Sequence, residues 1–257
     1  MENSDKNKTH FGFKSVNKDE KSGLVKGIFS NVAKKYDLMN DFMSMGIHRI
    51  WKKRMVEEIS LFKKDYHYKM IDLAGGTGDI AFRVAKKSND NHSKIDIEVV
   101  DINQEMLDVG KGRAVDNNLY KNLNFVCCDG ENLTFEDNSF DYFTIAFGIR
   151  NFTDINKALQ EAYRVLKPGG KFICLEFSKV NDYFLQKIYD TYSFNVIPKI
   201  GEIVLKDKES YQYLVESIRK FPSQDQFKKM IEEAGFENTK YHNLSAGIAA
   251  IHTGIKK

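Results

Sequence analysis

The chain has 257 residues, of which 42% are hydrophobic, 29% charged and 12% aromatic, a composition that excludes a disordered or fibrous protein. The 39 basic and 36 acidic residues leave a net charge of +3, too small an excess to favour an electrostatic nucleic-acid binder. Three cysteines, two of them adjacent, fit neither a disulfide framework nor a zinc site and indicate a reducing compartment.

The N-terminal region is predicted to be a flexible polar tail over residues 1–26, followed by a single domain over residues 27–257. The tail lacks the apolar core of a secretory signal, and no apolar run approaches the roughly 18 residues that span a bilayer. We therefore expect a cytoplasmic protein, and contact with a membrane surface stays open. Residues 27–60 contain two stretches of helical periodicity separated by Gly46, which predict a helical cap.

From Lys69 onwards, predicted strands alternate with predicted helices. The strands are Met70–Ala74, Ile95–Asp101, Leu123–Asp129, Phe140–Gly148 and Lys171–Phe177, and the helices are Ile80–Lys87, Gln104–Asn117 and Ile155–Gly170. This alternation predicts an α/β fold, a parallel sheet with helices on both faces. A helical insert over residues 183–221 and a hairpin of Phe236–Ser245 with Gly247–Ile255 complete the chain.

The first candidate site is the glycine-rich loop that follows the first predicted strand, from Asp72 to Asp79. Ligands of open α/β sheets bind beyond the carboxyl ends of the strands, and glycines allow the backbone to approach them. The loop lacks the full G-x-G-x-x-G spacing that wraps a pyrophosphate, which favours a nucleoside without one, such as S-adenosylmethionine. Asp72 and Asp79 suit its cationic amino-acid end, although any α/β protein can have such a turn. The remaining candidates in the loop are Gly75, Gly76, Thr77 and Gly78.

The next two predicted strands also end in acidic residues. Asp101 can accept hydrogen bonds from both ribose hydroxyls, or it can cap the helix before Asn103. Asp129 and Gly130 can reach the exocyclic amine of adenine, although Asp-Gly is also a common turn. Acids or glycines at three successive strand ends are a stronger indication of a nucleoside site than any one of them.

The fourth predicted strand leads into the segment Ala146–Asn151, which lacks the Asn-Pro-Pro-Tyr tetrad of methyltransferases that act on nucleobase amines. The chain also lacks a Pro-Cys nucleophile for cytosine chemistry. An exocyclic amine is therefore not the expected acceptor. Arg150 is a candidate for catalysis, and a surface ion pair is its structural alternative.

Several segments resemble the ubiquinone/menaquinone C-methyltransferase family. They are Tyr36–Asn40 with Ser44, His48 and Trp51, then Phe147–Asn151, Arg164–Gly170, Ser210–Leu214 with Ser217 and Ile218, and Asn243–Gly247. The resemblance spans residues 25–256 and implies a class I, Rossmann-like methyltransferase with a mostly parallel seven-stranded sheet. It implies contacts of Thr77, Asp101 and Asp129-Gly130 with S-adenosylmethionine. Ala146 takes the place of a serine common in the family, so only a backbone contact is expected there.

The implied reaction is C-methylation of a ring carbon of a polyprenyl benzoquinol or naphthoquinol. Arginine has too high a pKa to act as a base, so Arg150 would orient a water or stabilise the developing phenolate. Asn151 could hold the quinol oxygen. His48 is a candidate base or hydrogen-bond donor, and a packed histidine beside Trp51 is the alternative.

The predicted partners follow from a substrate confined to the bilayer. The insert from Tyr183 to Phe221 combines aromatic and basic residues, which indicates a lid at the membrane surface, unless these aromatics pack on the sheet. A homodimer and a quinone-biosynthesis complex stay open as partners, and nucleic acid is not expected. Two other functions are compatible with this fold: another small-molecule methyltransferase, of sterol or phenol type, and a nucleic-acid or protein binder.

Overall fold

A computed structural model describes residues 7–32, 41, 44, 46–63, 65–180 and 208–257. Its centre is a seven-stranded sheet with the strand order β5-β4-β3-β6-β7-β9-β8. The strands are β3 (His67–Leu73), β4 (Lys94–Asp101), β5 (Leu123–Cys127), β6 (Phe140–Ala146), β7 (Leu166–Phe177), β8 (Glu237–Leu244) and β9 (Ala249–Ile255). The strands β3 to β7 run parallel, and β9 is antiparallel to both of its neighbours. The predicted class I fold is confirmed.

Helices cover both faces of this sheet. Successive residues of its strands therefore belong to two separate hydrophobic cores, one on each face. Met70 belongs to one core and Ile71 to the other, and Ile173 and Cys174 divide in the same way. This two-residue alternation is what a sheet buried on both faces requires. The helices are α1 (Lys18–Val32), α2 (His48–Glu57), α3 (Asp79–Asp90), α4 (Gln104–Asp116), α5 (Ile155–Val165), α6 (Lys208–Lys220) and α7 (Gln224–Glu233).

The N-terminal region differs from the flexible tail expected over residues 1–26. Two short strands, β1 (Lys8–Phe11) and β2 (Lys14–Asn17), pair antiparallel, and α1 follows directly. The ring of Phe11 stacks on Tyr213 of α6 with centroids 4.3 Å apart, and the Phe13 amide donates to Glu216 of the same helix at 2.9 Å. Tertiary contacts therefore order a segment whose polar composition alone indicates disorder.

The helix α5 is shorter than the predicted helix Ile155–Gly170. It begins at a cap in which the Asp154 carboxylate accepts the amide hydrogens of Asn156 and Lys157. It ends at Val165, and Leu166 is already extended with φ −71° and ψ 142°. Pro168 lacks an amide hydrogen and therefore could not continue the helix. The residues predicted as the last turn of the helix instead open β7.

Some predicted features lie outside the described residues. They include Tyr36–Asn40 of the family resemblance and residues 183–207 of the insert, so of the insert only α6 and Phe221 are described. Of the described helices, none combines the length and the apolar character needed to cross a membrane.

Candidate active site

A cavity of about 580 Å³ opens where the parallel strands β3 to β6 end. The loops after these strands line it, together with α1. Of the predicted cofactor residues, the lining includes Asp72, Gly75, Gly76, Thr77, Asp101, Asp129, Gly130 and Ala146. Gly78 is the one residue of that set that does not line the cavity. It precedes α3 with φ +85°, and its amide donates to the Gly75 carbonyl at 2.8 Å.

The glycine-rich loop is held against the end of β4. Gly76 adopts φ +53°, a conformation that favours glycine, and its amide donates to Asp101 Oδ2 at 3.0 Å. A Cβ on Gly75 would lie 2.7 Å from Val99 Cγ1, and one on Gly130 would lie 2.6 Å from Phe152. These two glycines are therefore required by close packing of the loops themselves.

Asp101 has the geometry expected of a ribose acceptor. Its Oδ1 accepts the Asn103 amide at 2.9 Å, and its Oδ2 accepts the Gly76 amide, so the carboxylate is fixed in orientation. Burial raises the pKa of Asp101 to about 6, and the backbone hydrogen bonds oppose that shift. The group is mainly ionised at neutral pH and keeps lone pairs for two hydroxyl donors. The helix-cap alternative belongs to Asn103 itself, whose side chain accepts the amides of Glu105 and Met106.

Asp72 is the deepest acid of the site. The residue is 1% exposed, and Oδ1 accepts the Thr144 hydroxyl at 2.7 Å. Its Oδ2 makes no hydrogen bond of normal geometry among the described residues, and the Ala81 amide lies near the carboxyl group. Burial raises the pKa of Asp72 to about 7. A buried carboxylate oxygen without a donor fits the ammonium group of the cofactor's amino-acid end.

Asp79, the other acid predicted for that cationic end, is already paired. Its Oδ2 accepts from Lys52 Nζ at 2.7 Å, and its Oδ1 accepts from Arg83 Nε at 2.8 Å. Burial favours the neutral acid, but the two cations outweigh it and hold the pKa of Asp79 below its ordinary value. Asp72 is therefore the acid of this loop that is free to receive a cation.

Thr77 and Asp129 complete the predicted cofactor residues. The Thr77 hydroxyl accepts from Arg113 at 2.9 Å and is buried at the start of the loop's helix. Asp129 Oδ1 accepts the Glu131 amide at 2.9 Å, which fixes the turn at the end of β5. Both residues reach the cavity, so their local bonds position them there.

Arg150 and Asn151 form a single helical turn after β6, and they differ in access to the cavity. Asn151 lines it, and its Oδ1 accepts the Tyr213 hydroxyl at 3.0 Å. Arg150 is 2% exposed and is not among the lining residues. Its guanidinium pairs with Glu176 at 2.8 Å and donates to Ser217 at 3.3 Å and to the Phe147 carbonyl. The surface ion pair considered for Arg150 is thus a buried one.

His48 lies at the start of α2 and does not line the cavity. Its Nδ1 is 2.9 Å from the Ser44 hydroxyl and 3.7 Å from Asp41 Oδ1. Burial and the nearby Lys52 lower the pKa of His48 to about 4, so the imidazole is neutral at neutral pH.

Several lining residues were not predicted as site residues. Among them are Lys52 on α2 and one face of α1, a helix that lies largely within the segment expected to be a flexible tail. The lining residues of α1 are Lys18, Asp19, Ser22, Val25, Lys26 and Phe29. The spacing of Ser22, Val25, Lys26 and Phe29 is the i, i+3, i+4, i+7 pattern of one helix face, which is the signal that could have identified them.

Comparison with solved structures places the fold. A putative S-adenosylmethionine-dependent methyltransferase of Methanococcus maripaludis superposes with a TM-score of 0.58 at 21% identity, covering 88% of this chain and 92% of that one. A methyltransferase of Aquifex aeolicus gives 0.57 at 14% identity, covering 80% and 89%. These likenesses show the fold of S-adenosylmethionine-dependent methyltransferases, and the acids at successive strand ends lie at the edge where such a sheet binds its ligand.

Sequence comparison identifies the family to which the chain belongs. The ubiE/COQ5 methyltransferase family model matches residues 14–256. The ubiquinone/menaquinone biosynthesis C-methyltransferase UbiE of Rickettsia bellii is 58% identical, and that of Rickettsia felis 55%, each over 97% of this chain and 99% of the relative. The chain belongs to the ubiE/COQ5 methyltransferase family. It is a C-methyltransferase, and S-adenosylmethionine is its cofactor.

Proposed function

We propose that the enzyme methylates a ring carbon of a polyprenyl quinol, either a 2-polyprenyl-6-methoxy-1,4-benzoquinol or a demethylmenaquinol, in quinone biosynthesis. The observation that carries this proposal is the identity of 55–58% with relatives named for that reaction, over nearly the full length of both chains. The same identity disfavours the sterol or phenol type of methyltransferase. When bound, S-adenosylmethionine supplies the electrophilic methyl group, and the chain must hold an electron-rich ring carbon of the substrate in line with it.

Asn151 is proposed to hold the quinol oxygen. The amide lines the cavity, and the Tyr213 hydroxyl donates to its Oδ1, which turns the NH₂ group towards other acceptors. A quinol oxygen is such an acceptor. The stacking of Phe11 on Tyr213 restrains the tyrosine ring that sets this orientation.

Arg150 is proposed to stabilise negative charge on the quinol oxygen as the ring hydroxyl gives its proton to water. When the ring carbon gains the methyl group, its own hydrogen likewise leaves as a proton to water. The ion pair with Glu176 and the bonds from Nε and Nη1 fix the guanidinium, and a fixed dipole stabilises developing charge without reorganising.

His48 is proposed to act in catalysis as a hydrogen-bond donor to the quinol. A pKa of about 4 makes the imidazole a weak proton acceptor at neutral pH, which favours the hydrogen-bonding role over that of general base. Its contact with Ser44 fixes the ring orientation.

Mass spectrometry of quinones tests the reaction. Cells that lack this protein should accumulate an unmethylated quinone intermediate, one methyl group lighter than the product of this step, and the gene should restore the mature quinone. Supplying purified enzyme with demethylmenaquinol and with the benzoquinol separately identifies the accepted ring. An unchanged quinone profile in the deleted cells, together with no turnover of either quinol, would refute the proposal.

We further propose that the enzyme works as a cytoplasmic protein peripherally bound to the inner membrane. The substrate is held in the bilayer by its polyprenyl chain. The segment from Tyr183 to Phe221 combines apolar rings with lysines, the composition of an interfacial segment. A homodimer and a quinone-biosynthesis complex are two assemblies that size-exclusion chromatography and copurification would detect.

Liposome flotation tests the membrane contact. The wild type should float with anionic vesicles, and a Phe184→Ser, Phe194→Ser variant should float less. The matched control is Phe62→Ser, which removes a phenylalanine that is 82% exposed outside this segment. Equal flotation of all three folded proteins would place the membrane contact elsewhere, for example around Tyr36–Trp51.

A further inference from the structure

Lys52 is a buried cation at the wall of the cofactor cavity. Its side chain is 4% exposed, and Nζ donates to Asp79 Oδ2 at 2.7 Å. An ammonium group has three donor hydrogens, and Asp79 is the acceptor that the described residues provide for it. Burying an ammonium is unfavourable unless its hydrogens are bonded, so the position calls for a further acceptor inside the cavity.

The other basic residues of the cavity differ from Lys52 in burial. Lys18, Lys26 and Lys157 also line it, but all three are exposed. Their charges are screened by water, whereas that of Lys52 acts through a poorly hydrated environment. Lys52 is thus the lysine of the described cavity best placed for a strong pairing with an anion.

Lys52 also lies close to Asp72. Both residues line the cavity, and the charge of Lys52 opposes the rise in the pKa of Asp72 that burial causes. Asp72 offers an unpartnered carboxylate oxygen, and Lys52 offers ammonium hydrogens. A buried acceptor next to a buried donor is complementary to an α-amino acid, which carries one ammonium and one carboxylate.

We propose that Lys52 binds the carboxylate of the methionine moiety of S-adenosylmethionine, and that Asp79 positions the lysine for it. The α2 helix thereby contributes directly to cofactor recognition. The pairing selects against adenosyl sulfonium compounds that lack the carboxylate. Arg83 is the second partner of Asp79 and balances its charge, which leaves the Lys52 ammonium available to the cofactor.

Calorimetric titration with two ligands tests the pairing without turnover. The ligands are S-adenosylmethionine and its decarboxylated form, which retains the adenosine, the sulfonium and the amine. The wild type should bind S-adenosylmethionine about ten- to a hundredfold more tightly than the decarboxylated form, which is the range expected for one hydrogen bond to a charged group. In Lys52→Met this preference should fall to about one, because S-adenosylmethionine alone loses affinity.

The variants separate recognition from folding. Binding of the decarboxylated ligand by Lys52→Met reports an intact site, and Lys53→Met, an exposed lysine of the same helix, should keep the wild-type preference. The double variant Lys52→Met, Asp79→Asn removes both members of the ion pair and should lose the preference for S-adenosylmethionine in the same way. A preference retained in Lys52→Met, or an equal loss of affinity for both ligands, overturns the proposal.

Discussion

Substitution of Asp101 tests the assignment of the ribose site. In the structure, both carboxylate oxygens accept backbone amides, from Asn103 at 2.9 Å and from Gly76 at 3.0 Å. These bonds use one lone-pair position on each oxygen and leave others directed at the cavity. A change to Ala removes every acceptor, and a change to Asn keeps the shape but removes the charge.

The expected loss follows from the hydrogen bonds that disappear. One hydrogen bond to a charged group contributes about 1.5–3 kcal/mol, so losing even one should weaken cofactor binding about ten- to a hundredfold. Calorimetry with S-adenosylhomocysteine measures this directly, and Asp108→Ala, an exposed acid on α4, is the matched control. We expect Asp101→Asn to lose part of the affinity and Asp101→Ala to lose most of it.

The same group gives the affinity a pH dependence. Hydroxyl donors favour the ionised carboxylate, and the pKa of Asp101 is raised to about 6 by burial. Affinity in the wild type should therefore fall as the pH decreases through that value, and this component of the pH dependence should be absent in Asp101→Ala. Wild-type affinity in both Asp101 variants would remove this residue from the site.

Three further outcomes are expected. Arg150→Ala should lower kcat by roughly a hundredfold or more while the cofactor Kd changes little, because the lost group acts on transition-state charge, and unchanged turnover would leave Arg150 only a structural role. Cofactor binding near pH 7 should release about half a proton from Asp72, because its pKa of about 7 should fall when the ammonium group of the cofactor lies beside it. Calorimetry in buffers of different ionisation enthalpy measures the released protons, and in Asp72→Asn this contribution should be absent. Gly130→Ala should lower the Tm by several degrees, since its Cβ would lie 2.6 Å from Phe152, and an unchanged Tm would show that the loop can adapt.

The strand-end residues could be predicted from sequence because their signals are local. A buried strand whose end carries Asp72 and is followed by glycines, or whose last residue is Asp101, indicates both the strand and the edge of the sheet at which it ends. Parallel pairing of β3 with β4 and β6 then brings the residues together, as the register of Leu73 with Val100 and Ile145 shows. Sequence order alone determines much of the cofactor site in such a sheet.

The pairing of Lys52 with Asp79 could not be predicted in this way. The two residues belong to different helices and are 27 positions apart, so no periodicity connects them. The buried partners of Arg150 are more distant still, at Glu176 on β7 and Ser217 on α6. Such pairs depend on how helices pack on the sheet, which the hydrophobic pattern does not specify side chain by side chain.

The N-terminal segment contacts both the loops at the strand ends and the residues proposed to hold the quinol. Lys21 of α1 donates to the Phe152 carbonyl at 2.7 Å, and the side-chain amide of Asn103 donates to the Ser30 hydroxyl at 3.1 Å, so α1 is fixed to the loops proposed to hold the nucleoside. The hairpin before it stacks Phe11 on Tyr213, the residue that orients the Asn151 amide. One continuous segment therefore covers the cofactor cavity and also supports the residue proposed to hold the quinol. Positioning of donor and acceptor then depends on residues that perform no chemistry themselves, as an in-line transfer requires.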